Sequence, residues 1–344
     1  MRTMFGKNEI GRSLRIESEI GSGGSGSVYK AWHKRLQKYV VVKEHKHLIK
    51  KGPDIRRNEL EALKNVKCAY LPQVFDFIAA GKRSYTVMEY IDGESFDRLL
   101  KRGKKHNQLQ VIKWYGQLAS ALISIHMQDV CHRDIKPSNV MLTLSGDVCL
   151  IDFNAALVRG GNARFTSRSP GYASPEQYDL YERMENSPAT RGRRCCSASG
   201  SRKRDDAETQ MLDGCSITDF AVGGAPQADV QTEEDGRRTS LTKELPTMNN
   251  IDWKLSDIYS LGATMYHILT GVQPPGRPPG TVALTGRGAY DEGLAYTIEK
   301  SMQIKPSDRF ASAAVLADII RQTEEQNSVY TLIAAGQEFS PALR

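Results

Sequence analysis

The sequence predicts an α+β fold in two lobes: a β-rich N-lobe carrying one main helix, then a mainly helical C-lobe, with a cleft between them. Three observations lead there. Short β-branched runs broken by Gly or polar turns crowd the first 91 residues. Apolar stripes of helical period dominate from Leu109 onward. A chain of 344 residues is long enough for two lobes, each with its own core.

The elements follow in order. Ser13–Ile20, Ser27–His33 and Lys38–Glu44 read as strands of an antiparallel meander. Pro53 and Asp54 open a helix over Ile55–Val66, with Ile55, Leu60, Leu63 and Val66 near one face. Two further strands are expected at Gln73–Ile78 and Ser84–Ile91. A long helix spans Leu109–Met127, where Val111, Ile112, Leu118, Leu122 and Ile125 are spaced for burial. Helices are also expected over Ser256–Thr270 and Ala311–Arg321. Between these segments, residues 182–250 contain one aromatic, Phe220, and are dense in Ser, Thr, Gly, Arg, Asp and Glu. Such a stretch buries too little apolar area to offset its ordering entropy, so a disordered insertion is expected at about 183–250. Residues 1–11 and 326–344 are set aside as tails around a domain over 12–325, the lobes dividing near residues 90 and 91.

Apolar residues make up 40% and charged residues 25%, which excludes collagen-like, wholly disordered and membrane-embedded classes. No run approaches the roughly 18 apolar residues of a membrane span, and the first residues lack an apolar signal core. Six cysteines show neither a C-x-x-C pair nor a spaced Cys/His set, so a reducing cytoplasm is expected rather than a disulfide framework or zinc site. Net charge is +7; outside residues 182–250 it is +9. A basic body can attract phosphate-bearing ligands, acidic proteins or nucleic acid. Lysines on exposed faces, as in 34–57, are usually only solvated, so no nucleic-acid partner is expected.

Three motifs carry chemistry. Gly21-Ser22-Gly23-Gly24-Ser25-Gly26-Ser27-Val28 is a glycine-rich turn whose N–H groups can lie over phosphates. A flexible hairpin or a dinucleotide-binding loop fits the glycines equally well, but the latter needs a helix directly after them. Val28–Trp32 reads as strand instead. Lys43 ends the run Val40-Val41-Val42, where a lysine can merely guard an edge or can reach phosphates if a carboxylate positions it. Glu59 on the following helix is the natural carboxylate; Glu61 competes, and helix phase favours Glu59. The third motif is His132-Arg133-Asp134-Ile135-Lys136-Pro137-Ser138-Asn139, with Asp152-Phe153-Asn154 beginning 13 residues after Asn139. Here Asp134 can accept or orient a hydroxyl proton and Lys136 can neutralise a moving phosphoryl group. Asn139 and Asp152 offer hard oxygen ligands suited to Mg²⁺. A polar turn and an unrelated strand-end Asp would not reproduce the full spacing.

On these motifs the sequence resembles the eukaryotic-type (Hanks-type) serine/threonine protein kinases, and Ser174-Pro175-Glu176-Gln177 is similar to bacterial members. The resemblance implies a bilobal protein-kinase-like fold with a nucleotide cleft, ATP with Mg²⁺ or Mn²⁺, and protein substrates with Ser or Thr acceptors, autophosphorylation included. It implies that Ile20, Gly21, Ser22, Gly23, Gly24, Ser25 and Gly26 cover the nucleotide, and that Lys43 pairs with Glu59. Asp134 would be the catalytic aspartate with Lys136 beside it, and Asn139 and Asp152 would hold metal. Met88 resembles the gatekeeper, Glu89–Ile91 the hinge, and Val28, Val41 and Met141 would sandwich the adenine. Glu176 would pair with Arg309, and Asp257 would anchor the catalytic loop. By the same resemblance, Arg133 would clamp a phosphate on Thr166 or Ser167, while Ser169 would shape the substrate-binding loop. The insertion would be regulatory, with Ser240 after Arg237-Arg238-Thr239 a candidate acceptor.

Two departures stand out. Asn154 replaces the family's glycine, and Asn is a side chain that tolerates left-handed φ. Asp257 lies 81 positions after Glu176, far longer than the family's usual interval. A nucleotide-binding pseudokinase or signalling scaffold is the alternative from another class, disfavoured because every phosphate-, metal- and hydroxyl-handling residue is present.

Overall fold

The structure is a computed structural model, which describes residues 13–23, 26–45, 63–64, 66–80, 83–153, 156–158, 169–185, 251–276, 282–286 and 288–338. Five strands come first: β1 (Leu14–Gly23), β2 (Gly26–His33), β3 (Lys38–His45), β4 (Val74–Ala80) and β5 (Arg83–Glu89). They form one antiparallel sheet in the order β1-β2-β3-β5-β4. Register sorts their side chains. Tyr29 opposes Val42, Ala31 opposes Val40, and Val42 opposes Val87, so these residues join Leu14 and Tyr85 in a small core on one face. The alternate positions Val28, Lys30, Val41, Lys43 and Met88 share the other face.

The predicted strand Ser84–Ile91 ends earlier, at Glu89. Glu89 still pairs with Val40 of β3, but the next ladder, from Gly93, forms with Thr143 far along the chain, so residues 90–92 link the lobes. Most of the predicted helix Ile55–Val66 lies outside the described residues.

The C-lobe opens with β6 (Gly93–Ser95), α1 (Phe96–Lys101) and α2 (Gln108–His126). A capping box starts α2: Gln110 N donates to Asn107 Oδ1 at 2.8 Å and Asn107 N donates to Gln110 Oε1 at 3.3 Å. This helix is the lobe's axis, with Val111, Tyr115, Leu118, Leu122 and Ile125 all fully buried. Short strands follow: β7 (Val130–Cys131), β8 (Val140–Thr143), β9 (Val148–Leu150) and β10 (Leu157–Val158). β8 lies between β6 and β9, and β10 pairs with β7. The last helices are α3 (Pro175–Glu185), α4 (Trp253–Thr270), α5 (Glu292–Ser301) and α6 (Ala313–Glu338).

Two helices differ from their predicted spans for identifiable reasons. Asp252 caps the amides of Lys254 and Leu255, so α4 starts at Trp253 rather than Ser256. The stretch read as Ala311–Arg321 corresponds, from Ala313, to only the first part of α6, which continues into residues set aside as a tail. Asn327 Nδ2 still donates to Asp291 Oδ2 at 3.1 Å, tying the added turns to the N-cap of α5. Helices α4 and α5 touch closely at Gly262, where a Cβ would stand 2.6 Å from Ser301 Cβ. No helix among the described residues is long and apolar enough to cross a membrane.

One buried ion pair joins the ends of the lobe. The Arg309 side chain is fully buried and donates to both Glu176 oxygens at 2.7 and 2.8 Å. Its remaining donors reach the carbonyls of Gln303, Leu255 and Ile304 at 2.8–3.0 Å, so all five are used. Arg309→Met leaves the Glu176 carboxylate without its counter-ion and should cost about 3–5 kcal/mol of unfolding free energy. Denaturant unfolding checks this, and a loss below about 1 kcal/mol would contradict the pair's structural role.

Candidate active site

The loop His132–Asn139 runs between β7 and β8, and its start is fixed by a carboxylate from α4. Asp257, fully buried, accepts from His132 N at 2.8 Å, Arg133 N at 2.7 Å and His126 Nε2 at 3.0 Å. A buried carboxylate is tolerated only when satisfied in this way. The anchor permits strain: Arg133 has φ of 65° and Asp152 φ of 67°, a region non-glycine residues enter at a cost of about 1–3 kcal/mol. Arg133 is held further by Gln177 Nε2, which donates to its carbonyl at 3.1 Å, and by Trp253, whose ring lies 4.6 Å from its guanidinium carbon. Burial, with Asp257 adding to it, pushes the neighbouring Cys131 thiol well above its ordinary range, which keeps it protonated.

Asp134 then stands in a dense polar group. Its Oδ1 accepts from Ser169 Oγ at 2.6 Å; its Oδ2 accepts from Asn139 Nδ2 at 3.2 Å and meets Lys136 Nζ at 2.9 Å. Lys136 Nζ also donates to Ser169 Oγ at 2.9 Å. Asn139 is nearly buried and ties two strands of chain together: its Nδ2 donates to Asp134 O at 2.7 Å, and its carbonyl accepts from Ile151 N at 2.8 Å. The second link leads directly to Asp152. His132, wholly buried, bonds Ile151 O through Nε2 at 3.1 Å and meets the Phe153 ring edge-on at 4.9 Å.

Across the cleft, Lys43 Nζ lies 2.6 Å from Asp152 Oδ1 and is only 9% exposed in its side chain. The expected partner Glu59 lies outside the described residues, so the ion pair the structure presents for Lys43 is with Asp152. Val41, opposite Met88, and Val28, opposite Lys43, are half-buried on the same sheet face. Met141, half-buried on β8, opposes Ser95. Ile20, Gly21 and Ser22 are exposed on β1, and the turn closes as Gly23 opposes Gly26. Gly26 has φ of 149°, and a Cβ there would fall 1.7 Å from Glu44 O, so only glycine lets β2 and β3 approach at this point. Glu89 is held by Gln73 through N–H donation in both directions, at 2.8 Å to the Gln73 carbonyl and 3.2 Å onto its own carboxylate. Ile91 is half-buried in the linker.

The segment after Ser169 packs beneath the same site. Gly171 N donates to Tyr178 OH at 3.2 Å, Gln273 Nε2 donates to Pro170 O at 3.1 Å, and Tyr172 OH lies 2.6 Å from His267 Nδ1. Burial first, then nearby Asp97, raises the Tyr172 phenol; burial lowers His267. Both groups are thereby kept neutral, which suits a neutral hydrogen bond.

Gly24, Ser25, Asn154, Thr166, Ser167 and residues 186–250 are outside the described residues. The direct bond from Ser169 to Asp134 and the Gln177 brace escaped sequence reading, because their partners lie 35 and 44 residues away. The donor set matches a hard cation. Asn139 and Asp152 bring amide and carboxylate oxygen, the hard donors Mg²⁺ prefers.

Comparison with known proteins shows the family to which the chain belongs. The protein kinase domain family matches residues 14–188, more than half of the chain. Over 175 residues the chain is 34% identical to a probable serine/threonine-protein kinase of Clostridium acetobutylicum, covering 49% of this chain and 27% of that protein. Over 189 residues it is 31% identical to a probable serine/threonine-protein kinase of Streptomyces coelicolor, covering 51% and 27%. A longer match, 26% identical over 336 residues, covers 90% of this chain and 24% of serine/threonine-protein kinase PknK of Mycobacterium bovis. The matched segments therefore span about a quarter of each relative's length. With its family matched across both lobes' strands and the Asp134 loop, the chain belongs to the protein kinase family.

Proposed function

We propose that this chain is an ATP-dependent serine/threonine protein kinase. One observation carries the reading: Asp134, Lys136 and Asn139 form a single hydrogen-bonded group, linked through Ile151 to the Asp152 that meets Lys43 across the cleft. The substrate hydroxyl is oriented by Asp134, its oxygen attacks the γ-phosphorus, and the bond to the β–γ bridging oxygen breaks to release ADP. The hydroxyl proton passes to Asp134. Support for that role is the Oδ1 atom, which accepts a hydroxyl from Ser169. Lys136 offsets charge on the moving phosphoryl group, and Lys43 holds the nucleotide phosphates. Asn139 and Asp152 would hold Mg²⁺, which when bound neutralises the phosphate oxygens. Val28, Val41, Met88 and Met141 supply apolar surface for the adenine, and Glu89–Ile91 offer it backbone groups. The glycine-rich turn Ile20–Gly26 closes over the phosphates. The acceptor class is Ser or Thr on proteins, supported by Lys136 two residues after Asp134 and by the names of the relatives. We place the reaction in the cytoplasm, where ATP and Mg²⁺ are supplied together. Control is assigned to phosphorylation at Thr166 or Ser167 and to the segment 183–250, read from composition and motif.

Lys43→Met and Asp152→Ala should each lower phosphoryl transfer to casein by about 100-fold or more, since each removes charge that no neighbour replaces. Thermal unfolding should stay close to that of the unaltered chain. Near-normal ATP-dependent labelling by both variants would overturn the kinase reading. In the same assay, Ser169→Ala removes one of Asp134's three contacts and should reduce kcat about 10-fold, with little change in KM for ATP. Incubating the chain with ATP and Mg²⁺, then mapping phosphosites by mass spectrometry, tests autophosphorylation at Thr166, Ser167 and Ser240.

A further inference from the structure

The cleft face of the sheet carries a second lysine besides Lys43. Lys30 opposes Val41, while Lys43 opposes Val28, so both lysines stand on the face that bears Val28, Val41 and Met88. Lys43 occupies the end nearest the glycine-rich turn. Lys30 lies four residues beyond Gly26 on β2, about 13 Å along the strand, at the end nearest the interlobe linker. There its ammonium sits between two aromatic rings: Nζ is 4.3 Å from the Tyr39 centroid and 4.2 Å from the Tyr90 centroid. Both distances are well inside the roughly 6 Å reach of a cation–π contact. The two rings stand 6.3 Å apart at 61°, and Trp32 packs edge-on against Tyr39 at 5.0 Å. Tyr39 belongs to β3, but Tyr90 is the first residue past β5, in the linker itself.

We propose that Lys30 is a positioning residue that clamps the roof strand β2 to the linker and so sets the height of the nucleotide slot; this rests on the kinase reading of the same cleft. Ladders to β1 and β3 hold β2 within the sheet, so what Lys30 adds is a tie from the outer end of that sheet to the linker. Lys43, on β3, bonds Asp152 at the inner end, but that contact is the one nucleotide phosphates and metal compete for. The Tyr39–Lys30–Tyr90 sandwich involves none of the groups assigned to phosphate, metal or hydroxyl, so it persists while the inner tie is exchanged. A half-buried ammonium between two rings is partly desolvated, where such contacts are strongest. It joins β2, β3 and the linker through one atom. Releasing it lets Tyr90 and the linker shift against the outer end of β2 and β3, which loosens adenine contact without moving Asp134.

The test uses the full chain and ATP with Mg²⁺ as the probe. Lys30→Met keeps the apolar stem and deletes the charge; Lys30→Arg keeps a cation that stacks on aromatic faces. Lys30→Met and Tyr39→Leu should each raise the Kd for ATP·Mg²⁺ about 3- to 10-fold with kcat within about twofold, while Lys30→Arg stays near the unaltered chain. The double variant should bind no worse than the weaker single one, because both remove the same contact. Hydrogen exchange of peptides spanning 86–93 in the nucleotide-free chain should quicken in Lys30→Met and Tyr39→Leu. Unchanged Kd and exchange in Lys30→Met, equal weakening by Lys30→Arg, or additive losses in the double variant would each overturn the clamp. A chain that binds no ATP at all would sink the kinase reading instead, and linker exchange would still decide the clamp.

Discussion

The Asp257 carboxylate is the constraint on which the site depends. It is fully buried, and it reaches three donors from two separate elements, α2 and the loop after β7. Two of those donors are consecutive amides, His132 and Arg133, so the carboxylate fixes direction as well as position of the chain that follows. Arg133 can then occupy a left-handed backbone conformation, which turns the chain and aims Asp134 into the cleft. Without the anchor, only the Gln177 bond to the Arg133 carbonyl and the Trp253 ring would oppose the roughly 1–3 kcal/mol by which that conformation is disfavoured.

From this point rigidity passes outward through short links. Asn139 holds the far end of the loop to Asp134 and, through its carbonyl, to Ile151, and so delivers Asp152 to the cleft in a second left-handed conformation. Glu176 and Arg309 hold α3 against the end of the lobe, and α3 carries the Gln177 that braces Arg133. Leu71 and Val74 of the N-lobe join the apolar core built around α2, while long side chains make the contacts at the cleft: Lys43 on Asp152 at the inner end, Lys30 between Tyr39 and Tyr90 at the outer end. Such contacts are exchangeable, which suits a cleft that must admit and release a ligand.

Much of this was readable in the residues. The strands of the first lobe follow from β-branched runs with glycine or polar breaks, and β2 and β3 match closely because such breaks bound them. The loop His132–Asn139 and Asp152 were legible from spacing alone, since few other uses require that order of charges. Helices α1 and α5 were not: α1 buries only Phe96 and Leu99, and the buried face of the ten-residue α5 mixes Leu294, Ala295 and Ile298 with Thr297 and Ser301, which dilutes its apolar signal. Lys30 reads in sequence as a solvated strand lysine because its ring partners come 9 and 60 residues later. Ser169 likewise gains its meaning only when folding carries it to Asp134. Spatial juxtaposition, not residue type, carries that information.

The most direct measurement of the Asp257 anchor is single-turnover phosphoryl transfer by Asp257→Asn, read beside nucleotide affinity. An amide keeps the size of the carboxylate but presents an N–H₂ to one of the donors it must accept, leaving a buried clash of donors. The account predicts a transfer rate about 100-fold lower or more, with Kd for ATP·Mg²⁺ within about threefold, since the nucleotide-facing sheet does not touch Asp257. Transfer at the rate of the unaltered chain would contradict it, and would mean that the loop holds Asp134 in place without the anchor.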